Sequence, residues 1–129
     1  MPRPELAAAL AAATGLSFVV VGSTALRLHG ADFAPHDLDL VPDPDQLDRL
    51  DAAMDAWAVA RRPGRRALDG DVLTLESAYG PIDLLLRRGR EDYASLVIRA
   101  TMVDIAGVEV AVAAADDCWA LRRRFKGES

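Results

Sequence analysis

The sequence holds a single cysteine, Cys118, so no disulfide can close within the chain and no cysteine-based zinc cluster can form. Its two histidines, His29 and His36, lack a matched ligand spacing and read as makers of structural hydrogen bonds rather than as a zinc site. No apolar run approaches the ~18 residues of a membrane span, because charged residues interrupt each one. Repeats, low-complexity tracts and linkers are also lacking. The alanine-rich start carries Pro4 and Glu5, which suit a helix N-terminus better than a secretory signal. These absences point to a cytoplasmic protein with no membrane partner. An excess of positive charge is missing too: 15 basic against 20 acidic residues leave a net charge of −5, which argues against coating duplex nucleic acid with the whole surface.

What is present is globular. A hydrophobic share of 51% against 27% charged residues excludes a disordered chain, and 129 residues suffice for one domain, expected to span 1–129. A domain of that size buries roughly two-thirds of its unfolded surface. The basic residues are clustered: Arg61, Arg62, Arg65 and Arg66; Arg87, Arg88 and Arg90; Arg122, Arg123, Arg124 and Lys126. Each cluster alone reads as a solvated loop or helix end; brought together they would form a groove for a polyanion.

Residues 4–13 read as a helix with proline in its first turn and Thr14-Gly15 as its stop. The β-branched run 17–21 reads as a buried strand. Gly22-Ser23 forms a junction, after which Ser23 or Thr24 caps a short helix ending near Gly30. A second strand follows at 37–41. Asp43-Pro44-Asp45-Gln46 has the form of a capping box, opening a helix with Leu47, Leu50, Met54, Trp57 and Ala58 on one face and Asp48, Asp51 and Asp55 on the other. Residues 61–66 read as a loop. Strands are expected at 71–76 and 81–86, joined as a hairpin around Ser77-Ala78-Tyr79-Gly80. A polar segment at 87–92, a short helix to 96, and strands at 98–105 and 108–113 around Ala106-Gly107 come next. Asp116 caps a last helix through Phe125. The expected fold is α/β (α+β), a mixed sheet of about five strands with helices packed on it.

Chemistry concentrates on the aspartates that interrupt apolar strands, since Asp is disfavoured in a strand and a half-buried carboxylate is costly without compensation. In His36-Asp37-Leu38-Asp39-Leu40 the period of two puts both acids on one face, their Cα atoms about 6.6 Å apart. Ile82-Asp83-Leu84 repeats the pattern. If the two strands are neighbours, three carboxylates converge, and like charges that close need cations between them. Oxygen ligands favour Mg²⁺ or Mn²⁺, which keep open positions for a triphosphate, and a third carboxylate could activate an attacking hydroxyl. Gly22 lets a phosphate approach the backbone, while Ser23 donates a hydroxyl hydrogen bond beside a helix start.

Taken together, Val21-Gly22-Ser23, then Asp37-Leu38-Asp39-Leu40 after thirteen intervening residues, then Ile82-Asp83-Leu84, resemble the signature of the DNA polymerase β-like nucleotidyltransferase superfamily in minimal form. Thr24-Ala25-Leu26-Arg27-Leu28-His29-Gly30 resembles the small prokaryotic branch linked to toxin–antitoxin and abortive-infection systems. The likeness covers roughly residues 16–122 and implies transfer of a nucleoside monophosphate from a nucleoside triphosphate, ATP among them, to a hydroxyl on RNA (tRNA included), on protein or on a small molecule. It implies Gly22 and Ser23 at the triphosphate, and Asp37, Asp39 and Asp83 as metal ligands and catalytic acids. Relatives often carry Arg and Ser or Thr shortly before the first aspartate, where this chain has Phe33-Ala34-Pro35-His36. They also carry a lysine in a longer C-terminal segment, for which Arg122 or Arg123 could stand in. A non-catalytic antitoxin or regulatory module that binds a partner protein is the alternative. A metal-binding glycosyltransferase ranks last, because such folds need a larger domain. His36 could touch a phosphate or base and Tyr79 or Tyr93 could stack on one, whereas Trp57, Trp119 and Cys118 read as packed residues.

Overall fold

The computed structural model describes residues 3–49, 58–63 and 72–125. Helix α1 (Pro4–Ala13) opens the chain, with Pro4 in its first turn and Thr14 at its end. Its small side chains let it lie flat: Ala7, Ala8 and Ala11 are fully buried against the strands Val108–Val112, Gly80–Leu85 and Leu38–Pro42. Strand β1 (Phe18–Val21) is buried along its whole length, which requires cover on both faces of the sheet. The chain continues through α2 (Gly22–Leu28) and β2 (Leu38–Pro42) into a 3-10 helix at Pro44–Arg49. The later elements are β3 (Ala58–Pro63), β4 (Val72–Ser77), β5 (Gly80–Leu85), α3 (Leu86–Arg99), β6 (Thr101–Ile105), β7 (Val108–Val112) and α4 (Ala115–Phe125).

The strands form one seven-stranded mixed sheet in the order β3-β4-β5-β2-β1-β7-β6. The β1–β7 and β2–β5 pairs are parallel, and the other pairs are antiparallel. The α/β class, the hairpin β4–β5 and the hairpin β6–β7 agree with the sequence reading. The second hairpin turns on Ala106 (φ 53°) and Gly107 (φ 84°), a pair of positive φ angles whose twist matches that of the flanking strands. Asp104 supports the turn by accepting a hydrogen bond from the Gly107 amide at 3.0 Å. Val110 and Val112 face the core, while Val108 is only partly buried.

Four expectations need correction. The sheet has seven strands rather than about five, and the strand with no counterpart in the sequence reading is β3, where a helix end and an arginine-rich loop are expected. That strand sits at the sheet edge, where charged residues such as Arg61 and Arg62 and a terminal proline are common. Residues 86–99 form one helix instead of a polar segment, a short helix and a strand start. Its first turns are laced by Arg87–Glu91 and Arg88–Asp92 ion pairs at i,i+4 spacing. The helix after Asp43 is of 3-10 type over Pro44–Arg49. Asp43 Oδ1 accepts from the Asp45 amide, but Gln46 accepts from the Ser17 amide at 2.8 Å rather than closing a capping box. The rest of the expected amphipathic face, through Leu47, Leu50, Met54 and Trp57, concerns side chains outside those described. Finally, neither Ser23 nor Thr24 caps α2, which starts at Gly22 with no side-chain cap. Thr24 is buried and spends its hydroxyl on the carbonyl of Asp37, at 2.9 Å.

Candidate active site

The register of three adjacent strands builds the site. Across β1–β2, Val21 stands opposite Asp39, and across the parallel β2–β5 pair Asp39 stands opposite Asp83. Parallel neighbours in register put their side chains on the same face. Asp83 therefore joins Asp37 and Asp39, and one carboxylate oxygen from each lies within 4.8 Å of the others. All three acids are half-buried.

Each acid is held by a different device. The Thr24 hydroxyl fixes the backbone at Asp37, just ahead of β2. Asp39 rests against Gly22: a Cβ placed there would come within 2.5 Å of Asp39 Oδ2. Gly22 also has φ +74°, a conformation that side chains disfavour, so this position demands glycine twice over. Asp83 Oδ1 accepts a hydrogen bond from the hydroxyl of Thr74, its cross-strand partner on β4. Thr74 is buried and went unnoticed in the sequence; the signal was a hydroxyl in an apolar strand, legible only once β4 is paired with β5.

The electrostatics show a site short of positive charge. Asp39 is pushed up to about 7, first by burial, then by the charges of Asp37 and Asp83. A donor set of three carboxylates is the hard, anionic kind that suits a divalent cation such as Mg²⁺ or Mn²⁺, so the residues present fit a metal ion.

An open cleft of about 480 Å³ adjoins the triad, lined by Ser23, Phe33, His36, Asp37, Pro81 and Arg122 among others. Ser23 thus faces the same space as Asp37. Among the described residues, Arg122 is the one member of the three arginine clusters lining this cleft. Arg87 and Arg88 are engaged with Glu91 and Asp92 on α3. Arg61 and Arg62 lie on β3 at the opposite end of the sheet order from β7 and β6. Tyr79 lies in the β4–β5 turn and Tyr93 on α3, and neither lines the cleft. His29 Nε2 donates to the Ala113 carbonyl at 2.7 Å, a structural tie. Cys118 is buried and its thiol is pushed up to about 12, mainly by burial, so it is an inert core residue. Trp119, expected in the core, is 40% exposed and packs on Phe33 instead.

The fold is a nucleotidyltransferase fold. The chain is similar in structure to a Thermotoga maritima protein described as a candidate nucleotidyltransferase, with a TM-score of 0.66 and 17% identity over 98% of this chain and 88% of that one. The likeness is one of fold. No protein-family model matches the sequence, and no curated protein matches it. No described helix is long and apolar enough to cross a membrane.

Proposed function

We propose that this chain is a divalent-metal-dependent nucleotidyltransferase that moves a nucleoside monophosphate from a nucleoside triphosphate to a hydroxyl. The observation that carries this reading is the convergence of Asp37, Asp39 and Asp83 within 4.8 Å, beside the Gly22 bend. Asp37 and Asp39 would hold the ion, with Asp83 completing the set. When bound, a divalent cation supplies Lewis-acid polarisation of phosphoryl oxygens and neutralises charge developing on the leaving pyrophosphate.

The chain's own residues then have distinct tasks. Gly22 leaves space against the backbone and Ser23 donates its hydroxyl to a phosphate oxygen in the cleft. In the transfer, an acceptor oxygen bonds to the α-phosphorus, the bond to the bridging oxygen breaks, and pyrophosphate departs. The acceptor's proton goes to the Asp83 carboxylate, which the Thr74 hydroxyl holds through Oδ1. Thr74 therefore orients the acid and is a positioning residue.

The acceptor we favour is RNA, tRNA included, or a partner protein, in a cytoplasmic toxin–antitoxin setting, on the strength of the resemblance of Thr24–Gly30 to that branch. The test is incubation with Mg²⁺ and each labelled triphosphate, with and without total RNA and lysate, beside Asp39→Asn. Label transferred by the wild type and lost in the variant supports the proposal; undiminished transfer by Asp39→Asn overturns it. Absence of metal–triphosphate binding in calorimetry, with a protein partner co-purifying tightly, would instead mark a non-catalytic antitoxin or regulatory module.

A further inference from the structure

The loop before the first aspartate departs from the pattern of the relatives that the sequence resembles, and the structure shows what stands there. Phe33 reaches into the cleft beside the triad. The Arg122 guanidinium carbon, from α4, lies 4.9 Å from the centre of the Phe33 ring. Trp119, one helical turn earlier, meets the same ring at 6.0 Å between centroids and an interplanar angle of 49°. Both are ordinary geometries for cation–π and tilted aromatic contacts.

The cluster is pinned and open at once. Arg27 of α2 donates to the Phe33 carbonyl at 2.7 Å and the Phe33 amide bonds the Ala31 carbonyl at 3.0 Å, so the ring is carried on a braced loop. Trp119 is 40% exposed and backs the Phe33 ring from outside the residues that line the cleft. Arg122 makes no ion pair among the described residues, although the neighbouring cleft holds Asp37.

From this we infer that Phe33 and Arg122, backed by Trp119, form a stacking shelf for the base of the nucleotide. The inference rests on the nucleotide reading above and adds what selects among nucleotides. Rings and guanidinium planes stack on any base, and each stacked base is worth about 1–3 kcal/mol, a factor of roughly 5–150. A cleft of about 480 Å³ has room for a nucleoside beside the phosphates. Stacking rewards area, so the shelf favours purine over pyrimidine triphosphates and discriminates weakly between adenine and guanine.

The experiment compares binding of ATP, GTP, CTP and inorganic tripolyphosphate, each with Mg²⁺, by calorimetry. The wild type should bind ATP and GTP at least about fivefold tighter than tripolyphosphate, with CTP between. Phe33→Leu, which keeps an apolar side chain but removes the ring, should bring the ATP-to-tripolyphosphate ratio to within about twofold while leaving tripolyphosphate affinity unchanged; Phe33→Tyr should preserve the ratio. An unchanged ratio in Phe33→Leu, or equal weakening of both ligands, overturns the shelf. Tripolyphosphate binding with no gain from a base overturns the shelf alone, whereas failure of the wild type to bind any of the four overturns the nucleotide reading and the shelf together.

Discussion

Replacing Asp39 by asparagine should stabilise the metal-free protein at alkaline pH while abolishing its response to metal. The sign follows from linkage. Burial and the neighbouring acids raise Asp39 from an ordinary value of 3.8 to about 7 in the folded state. Its contribution to stability is therefore fully present below about 3.8 and is lost as pH rises through about 7. A gap of about three units corresponds to about 4 kcal/mol at 1.36 kcal/mol per unit, as an upper bound for a half-buried group. Asparagine keeps the shape without the charge, so in a chelator at pH 8 the variant should gain about 2–4 kcal/mol, roughly 6–15 °C in Tm for a domain of this size. At pH 4 the two proteins should melt together. With Mg²⁺ or Mn²⁺ at a hundred times its Kd, the wild type should recover about 2.7 kcal/mol and the variant nothing. Thermal melts across pH 4–8, with chelator and with metal, read all of this. A variant that melts at or below the wild type at pH 8 in chelator would refute the reasoning, because the carboxylate would then be stabilised by its surroundings rather than strained by them.

Four further outcomes follow from the same geometry. Gly22→Ala places a methyl against Asp39 Oδ2 on a positive-φ residue, and should cost about 1–3 kcal/mol in denaturant melts and abolish Mn²⁺ binding in calorimetry. Thr74→Val removes the hydroxyl that Asp83 accepts from, and should weaken Mn²⁺ binding about 10–100-fold with the far-ultraviolet circular dichroism unchanged. Because the ion must displace the Asp39 proton, apparent Mn²⁺ affinity in the wild type should fall as pH drops below about 7, and a titration flat between pH 6 and 8 would contradict this. Ala106→Asn relieves the positive φ in the β6–β7 turn and should raise stability by about 0.5–1 kcal/mol without touching metal binding.

The elements read correctly from the sequence are those whose signals are local. The apolar run before Gly22, the alternation around Asp37 and Asp39, and the Ala106-Gly107 turn each need only a few consecutive residues to show their period or punctuation. The misread elements depend on partners. Ala58–Pro63 becomes a strand because β4 offers it an edge, and its own residues carry little alternation. Residues 86–99 stay helical through ion pairs four residues apart, a pattern hidden when the segment is seen only as polar. The contacts of Thr74 with Asp83, of Gln46 with Ser17 and of Phe33 with Trp119 and Arg122 were hidden for the same reason, since each depends on a partner brought near by the fold.

By itself, the amino-acid order determined that two acids share a strand face and that a glycine bend precedes them, because strand periodicity and glycine's freedom are properties of short segments. Whether Asp83 meets them was decided only by the tertiary structure. That meeting requires β5 to lie parallel to β2 with Asp83 level with Asp39, an arrangement set by how the buried leucines and valines of the central strands pack beneath their helices. A one-residue slip in that pairing would turn Asp83 to the other face, with no change in sequence to announce it.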